Sequence, residues 1–261
     1  MRILVLIFLI FIIGAWIISY PKTPKIVNIP QATPNVSAIP QGTVVYLGDK
    51  AYRIYQQKIA DPDLLTLIPN FSEKKTAQQI MNEYECTYGV NAGFYTPDDT
   101  PLGLFYVNGK YINKVPHRNP MFNGYVHKTN SGLFLITDEA PHYTANALDF
   151  AFQSGPFFRP EKKLLLTSDE PARRILIGQV DANNFFFVAI TEEGNNYSGP
   201  YLSDVPEIIN RYNISLRAQR SSGQLLYLLN LDGGSASAFF GKDGTVLSEL
   251  VTIGSFLCAK Q

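Results

Sequence analysis

The fold of this chain is constrained most by an apolar run from Leu225 to Leu231, which is broken only by Asn230. The run has the length of one strand, and its apolar residues occupy both alternating positions, which indicates a strand buried on both faces. Such a strand requires a sheet that is covered on both sides. The chain can build the core that this needs, because it has 261 residues and is 46% hydrophobic.

Shorter patterns on either side of this run predict further strands and a few helices. Strands are predicted at Tyr88–Phe94, Gly103–Asn108, Ser131–Thr137, Arg174–Gly178 and Phe185–Thr191, and a hairpin turning at Gly48-Asp49 joins Thr43–Leu47 to Ala51–Gln56. Helices are predicted at Thr76–Tyr84, with a capping box of Thr76 and Gln79, and at Val205–Tyr212, with Asp204 as N-cap.

The order of these elements predicts the fold class. Strands outnumber helices and do not alternate regularly with them, which argues against a Rossmann fold or a barrel. We therefore expect an α+β fold: a mixed, largely antiparallel twisted sheet packed with a few helices, in a single domain.

The amino-terminal part of the chain has the pattern of an export segment. Ile3 to Ile18 contains only apolar residues and one glycine, with Arg2 before it and Lys22 after it. This pattern is typical of a secretory signal or an uncleaved signal anchor, and the lack of a small-x-small cleavage site favours the anchor.

Prolines separate this segment from the rest of the chain. Residues 21–42 are rich in proline and polar residues, which predicts an extended stalk. We divide the chain into a signal peptide or signal anchor (1–20), the stalk (21–42) and a folded domain (43–261). The domain is expected outside the cytoplasm, anchored to the membrane, or secreted if the signal is cleaved.

Charge and histidine content exclude several function classes. Lysine plus arginine and aspartate plus glutamate both number 22, so broad electrostatic binding to nucleic acid is not expected. His117, His127 and His142 lack zinc spacing. We predict neither a metal nor a cofactor.

The strongest candidate for chemistry is the segment Asp232-Gly233-Gly234-Ser235, directly after the apolar run. A carboxylate at the end of a central strand lies where several loops can converge. The two glycines allow close approach of a ligand and would expose backbone amides to an anion. The alternative is an ordinary hairpin turn in which Asp232 only caps the backbone.

Three other segments place polar groups next to strands. Asn91 and Gly93 interrupt an apolar strand, which indicates a bulge or a side chain directed into a site. Ser154 and Gly155 precede a proline and form either a donor-bearing loop or a common turn. Arg174 enters a strand, either as a solvated edge residue or as a bidentate phosphate clamp, and the adjacent Arg173 is the alternative clamp.

In this order, the segments resemble the phosphodiester glycosidase family. The matching motifs are Asn91–Tyr95, with Ala92 in place of a glycine; Gly103 and Asn108-Gly109-Lys110; Ser154–Pro156; Arg174–Gly178; and Leu229–Ser235, which has one glycine fewer than the family motif. The resemblance covers nearly all of residues 43–261.

The resemblance implies hydrolysis of a sugar-1-phosphodiester bond, in a cell-envelope or exopolysaccharide-related substrate. It implies Asp232, Arg174 and Asn91 as catalytic residues. Substrate contacts are expected from Gly93, Ser154, Gly155, Gly233, Gly234 and Ser235. A second carboxylate would come from Glu170, Asp98 or Glu192. The alternatives are a non-catalytic module that binds a polysaccharide and a metal-dependent phosphodiesterase.

The two cysteines, Cys86 and Cys258, lie far apart in the sequence. They are either free buried thiols or one disulfide, and the export pattern favours the disulfide.

Overall fold

The domain has three sheets, and the apolar run contributes a shorter strand than predicted. Only Tyr227–Asn230 forms a strand, it lies next to the edge strand of its sheet, and Leu226 is 46% exposed, so the run is not buried along its whole length. The computed structural model describes residues 42–142, 145–219 and 223–260. The predicted membrane segment and all of the predicted stalk except Gly42 therefore lie outside the described residues. Within the described ranges, no helix has the length and apolar character needed to span a bilayer.

The described strands form three sheets, A, B and C. Sheet A has the order β1 (Thr43–Leu47), β2 (Lys50–Ile59), β12 (Asn184–Glu192), β11 (Arg174–Asp181), β13 (Tyr227–Asn230), β10 (Phe157–Phe158). Sheet B has the order β15 (Val246–Leu247), β14 (Phe239–Phe240), β4 (Tyr88–Asn91), β16 (Ser255–Ala259), β3 (Leu65–Pro69). Sheet C has the order β6 (Lys110–Asn113), β5 (Phe105–Val107), β9 (Leu148–Ser154), β7 (Gly124–Thr129), β8 (Phe134–Thr137).

Two α-helices cover the outer faces of these sheets. Helix α1 (Ala77–Glu83) begins at the predicted capping box, in which the Thr76 hydroxyl accepts from the Gln79 backbone N–H at 3.2 Å. Helix α2 (Val205–Ala218) begins after Asp204, whose side chain makes no capping hydrogen bond. Short 3-10 turns lie at Pro62–Leu64, Ala145–Ala147, Leu202–Asp204 and Gly234–Ala236.

Strand alternation explains how the core is divided. On β12, Phe187 and Ala189 face a central core to which all three sheets contribute, whereas Val188 and Ile190 face a second core formed with α2. Because both faces of sheet A are covered at its centre, the middle stretches of β11 (Ile175–Ile177) and β12 (Phe185–Ile190) are apolar in both alternating positions. A third cluster packs α1 against the outer face of sheet B.

The predicted fold class is confirmed. The domain is α+β, with helices packed on largely antiparallel strands, and every pairing among the described strands is antiparallel. Sheets A and B are separate sheets, because β4 and β16 pair with each other and not with β11 or β13.

The predicted disulfide is also confirmed. Cys86 and Cys258 are bonded, with their Cα atoms 5.4 Å apart. Cys86 follows α1 and Cys258 lies on β16, so the bond ties the last strand of the chain to the helix that covers sheet B.

Candidate functional site

A cleft of about 380 Å³ lies where β11 begins and β13 ends in sheet A, near β4 of sheet B. Its volume is that of a site for a small ligand. Six of the residues predicted from the sequence line it: Asp232, Arg174, Glu170, Gly155, Gly233 and Gly234. Asn91, Gly93, Ser154 and Ser235 are not among the lining residues.

Asp232 lies at the junction of two sheets. It follows β13, and its backbone N–H donates to the Ala92 carbonyl at 3.0 Å, just beyond β4. Burial of the carboxyl group raises the pKa of Asp232 from 3.8 to about 7, although a hydrogen bond from the Gly233 backbone N–H offsets part of the rise. A carboxyl group with this pKa exchanges protons readily near neutral pH.

Asn91 holds Asp232 in place. Its side-chain Nδ2 donates to the Asp232 carbonyl at 2.7 Å, and its Oδ1 accepts from the Ala238 backbone N–H at 2.8 Å. Asn91 is fully buried. Its carboxamide therefore joins β4 to the chain on both sides of the glycine loop, Gly233-Gly234. These contacts are those of a residue that positions its neighbours.

The two adjacent arginines have different surroundings. Arg174 lines the cleft; its Nε donates to the Pro200 carbonyl at 3.1 Å, and its Nη2 pairs with Asp169 at 3.4 Å and donates to the Glu170 carbonyl. Its Nη1 has no hydrogen-bond partner among the described residues and lies beside Gly233. Arg173, in contrast, is 1% exposed and donates to Ser237 Oγ at 2.6 Å and to three backbone carbonyls.

Two carboxylates share the cleft with Asp232. Asp169 accepts from the backbone N–H groups of Leu202 and Ser203 at 2.8 and 2.7 Å. Although burial raises the pKa of Asp169, these bonds and the Arg174 charge lower it below its ordinary value. Glu170 is exposed and also lines the cleft, whereas the other candidates, Asp98 and Glu192, do not.

The glycine loop differs from the expected anion nest. The Gly234 N–H donates to the Arg173 carbonyl at 2.9 Å, and the Gly233 N–H lowers the pKa of the Asp232 carboxyl group. The Gly234 amide is therefore engaged within the protein, so the guanidinium of Arg174 is the better placed donor for a ligand anion. Gly234 is required for another reason, since its φ of +63° lies in the left-handed region.

The Ser154-Gly155 segment braces β13. The Ser154 hydroxyl donates to the Asn230 carbonyl at 2.7 Å, and the Gly155 N–H donates to the same oxygen at 3.1 Å. A Cβ on Gly155 would overlap the Met121 carbonyl oxygen, so only glycine fits there. Gly93 is buried against Phe152 and Gln153, and Ser235 is exposed.

An aromatic wall of Phe94 and Phe122, which was not predicted, closes one side of the cleft. The two rings lie edge to face with centroids 5.1 Å apart, and both line the cleft. Buried Gln153 fixes this wall: its Nε2 donates to the carbonyls of His117 and Phe122, and its Oε1 accepts from the His117 N–H at 2.7 Å. The sequence contains one signal of this role, because Gln153 is a polar residue directly after the apolar stretch Phe150–Phe152.

No metal cluster accompanies these groups. Within residues 42–142, 145–219 and 223–260, no three histidine, cysteine or acidic side chains are grouped to hold a metal ion.

Comparisons with known proteins match the part of the chain that forms the cleft. The sequence model of the phosphodiester glycosidase family matches residues 84–250. No curated protein matches the sequence significantly. Several solved structures are similar, and for the two described next the identities are so low that the likeness shows a shared fold alone. One is the catalytic domain of zebrafish N-acetylglucosamine-1-phosphodiester alpha-N-acetylglucosaminidase, auto-inhibited by its pro-peptide (11% identity, TM-score 0.55, 85% of this chain and 87% of that one). The other is a hypothetical protein from Synechocystis (13% identity, TM-score 0.51, 83% of this chain and 61% of that one).

Proposed function

This chain belongs to the phosphodiester glycosidase family, and we propose that it hydrolyses the bond between the anomeric carbon of a sugar and a phosphodiester oxygen. One observation carries the proposal: a carboxyl group with a pKa of about 7 and an arginine with a free guanidinium nitrogen line the same cleft. The matched family segment contains both residues.

The reaction needs two kinds of stabilisation. The phosphate must be held, and positive charge developing on the sugar ring must be accommodated. Arg174 suits the first task because its contacts with Pro200, Asp169 and Glu170 leave Nη1 without a partner among the described residues, beside Gly233 of the cleft. The aromatic wall of Phe94 and Phe122 supplies an apolar surface for the sugar.

Asp232 acts as the base in this proposal. Water forms a bond to the anomeric carbon, its proton passes to the Asp232 carboxylate, and the bond from that carbon to the phosphate oxygen breaks. The electron pair leaves with the phosphate monoester. A phosphate is a good leaving group, so strong protonation of it is not required. Glu170 is the second carboxylate we favour, because it shares the cleft.

Hydrolysis in ¹⁸O-labelled water tests the bond choice. Our proposal expects the label on the sugar hydroxyl, since the carbon–oxygen bond breaks. Label on phosphate would indicate a phosphodiesterase instead. An absence of turnover on a broad panel of sugar-1-phosphodiesters would favour a module that only binds a polysaccharide.

We also propose an extracytoplasmic location and a cell-envelope or exopolysaccharide-related substrate. The disulfide between Cys86 and Cys258 supports the location, because such bonds persist in oxidising compartments. Anchoring through the apolar segment of residues 3–19 remains our proposal from the sequence. Cell fractionation with amino-terminal sequencing tests it, and a soluble protein that starts after Ser19 would exclude the anchor.

A further inference from the structure

A second groove, of about 510 Å³, lies at the edge of sheet A that β10 forms, and is here called the edge groove. It is larger than the cleft, and none of the described residues lines both. Its lining combines aromatic rings, side-chain amides and two cations: Phe157, Tyr227, Asn123, Gln179, Arg159 and Lys162. The proposed hydrolysis uses none of these side chains.

Strand register brings the aromatic side chains of the edge groove together. Phe158 pairs with Leu228, so the same register places Arg159 opposite Tyr227. The rings of Phe157 and Tyr227 are nearly parallel, with centroids 5.8 Å apart, and the guanidinium carbon of Arg159 lies 4.5 Å from the Tyr227 centroid. Arg159 Nη2 also donates to the Tyr227 hydroxyl at 2.9 Å. These contacts hold the arginine beside a partly exposed aromatic surface.

A tight turn places a second cation near Arg159. The Lys162 backbone N–H donates to the Arg159 carbonyl at 3.0 Å, and Pro160 occupies the turn position that proline favours. Both cationic residues are exposed, and neither forms an ion pair with a carboxylate of the described residues. Asp138 also lines the edge groove, so the two cations exceed its single negative charge and leave the groove net positive.

The edge groove lies directly beyond the aromatic wall of the cleft. Phe122 of the wall is followed in sequence by Asn123, which lines the edge groove; likewise Gly155 lines the cleft and Phe157 lines the groove. The Asn123 side chain ties these two segments together, because its Oδ1 accepts from the Phe157 backbone N–H at 2.7 Å. Consecutive Cα atoms are about 3.8 Å apart, so the two sites are neighbours on the surface.

The side chains of the edge groove suit an acidic sugar chain. Aromatic rings offer apolar surface to the faces of sugar rings, and side-chain amides bond to sugar hydroxyl groups. A neutral sugar has no use for two cations, whereas the carboxylate of a uronate accepts charge-assisted hydrogen bonds from arginine and lysine. Because the whole chain has a net charge of zero, attraction of an anion depends on this local pair.

We propose that the edge groove binds acidic units of a sugar chain that extends from the glycosyl group held in the cleft. This inference rests on the proposed function and makes its substrate an acidic oligosaccharide or polysaccharide, joined to phosphate through its last sugar. The phosphate then lies at Arg174, the sugar that bears it at the wall of Phe94 and Phe122, and the preceding acidic units in the edge groove.

Calorimetry with hexamers of galacturonate, of mannuronate and of hyaluronan, each compared with neutral maltohexaose, tests the assignment. We expect at least one acidic hexamer to bind about tenfold more tightly than maltohexaose. Arg159→Gln/Lys162→Gln should lower the affinity for that hexamer about tenfold. As a control, Lys110→Gln/Lys114→Gln removes two exposed positive charges that line neither site and should leave this affinity unchanged. Equal binding of acidic and neutral hexamers, or equal losses in the two double variants, would overturn the inference.

A 1-phosphate added to the best hexamer tests whether the groove and the cleft hold one molecule. The phosphorylated hexamer should bind at least about tenfold more tightly than the unphosphorylated one, because the second contact becomes intramolecular, and Arg174→Lys should remove most of this gain. Absence of any gain would overturn the proposed continuity of the two sites.

Hydrolysis of monosaccharide 1-phosphodiesters by the wild-type protein is measured separately. If hydrolysis is absent while acidic hexamers still bind, the proposed function is wrong and the edge groove belongs to a module that only binds a polysaccharide. If hydrolysis is present and acidic hexamers bind no better than maltohexaose, the inference about the edge groove is wrong and the proposed function stands.

Discussion

Arg173 and Arg174 are consecutive residues in two regions with opposite properties. The first region, here called the Arg173 anchor, consists of Arg173 and its acceptors on Asn196, Ser237 and Ser248. The second is the cleft, where one guanidinium nitrogen of Arg174 has no partner in the part of the chain that the structure describes. Successive side chains at a strand leave the backbone in opposite directions, so one step in sequence separates the two environments. The anchor satisfies its polar groups and stabilises the fold, whereas the cleft leaves groups unsatisfied for a ligand.

The largest effect is expected in the cleft, from Asp232→Asn. The change keeps the shape and removes the base, so we expect kcat to fall about 1000-fold or more, which is about 4 kcal/mol of barrier. Kinetics on sugar-1-phosphodiesters measure it. Near-normal turnover, with about 1 kcal/mol less stability, would instead mean that Asp232 only caps a turn.

The same variant should gain stability at alkaline pH. The folded pKa of Asp232, about 7, lies above the ordinary value of 3.8, so the stabilising protonated state is present below about pH 4 and is lost as the pH rises towards 7. Asn has no charge to desolvate. Melts at pH 8 should therefore favour Asp232→Asn, with a difference that disappears near pH 4.

Loss of the disulfide should affect stability and leave the cleft intact. The two cysteines are 172 residues apart, a long loop for which the chain-entropy model gives about 5 kcal/mol; measured values are usually about 2–4 kcal/mol. We expect Cys86→Ala/Cys258→Ala to lose about 2–4 kcal/mol of unfolding free energy in urea titrations. At temperatures where the variant stays folded, kcat should be unchanged, and a fall in kcat of the folded protein would link sheet B to the cleft.

Arg173→Lys tests the anchor. Lysine cannot reproduce the planar fork that bonds Ser237, Ser248 and Asn196, so buried carbonyls lose their donors. We expect a loss of about 2–3 kcal/mol of unfolding free energy, with nearly normal kcat/KM for the folded protein. Weakened substrate binding with unchanged stability would exchange the roles of the two arginines.

Arg174→Lys should have the opposite result. The charge remains, but lysine cannot keep the Pro200 and Asp169 contacts and at the same time present a second nitrogen to the phosphate, so kcat/KM should fall about 10- to 100-fold, or about 1.4–2.8 kcal/mol. Denaturation curves should move less than those of Arg173→Lys. If kcat/KM for phosphodiesters stays at the wild-type value, Arg174 does not hold the phosphate.

The smallest expected effect is the change of kcat/KM for each pH unit. If the Asp232 carboxylate is the base, kcat/KM should rise about tenfold per pH unit below pH 7 and level off above it, because the free enzyme's pKa is about 7. A profile that falls through pH 7 would assign Asp232 the role of an acid. The Asp232→Asn variant, measured in parallel, should lack the inflection.

Local sequence signals predicted much of the fold. The capping box at Thr76, the hairpin turn at Gly48 and the apolar run from Leu225 to Leu231 all specify structure through neighbouring residues. The structure contains the first two, and it contains a strand at Tyr227–Asn230 within the third. Strands β3, β7 and β9 were not predicted. The partner of β3 is β16, at the other end of the chain, and β7 contains His127 and Lys128, polar residues that become buried only through tertiary packing.

The candidate site was predictable in part for the same reason. Asp232, Arg174 and the glycines stand next to strand ends, so the sequence could place them near one another. The bracing function of Asn91 and the formation of the edge groove depend on which donors, acceptors and rings meet in three dimensions. Residue types alone do not contain that information.

Gln153 has a consequence for how a ligand enters. Its carboxamide binds both His117 and Phe122, so it closes the segment between them into a short ring of chain. The conformational entropy of ordering this segment is lost when the protein folds. A sugar that meets the Phe94 and Phe122 wall therefore finds its surface preorganised, and its affinity is not reduced by the freezing of a loop. Recognition should then depend on shape selection, with association in a single fast phase.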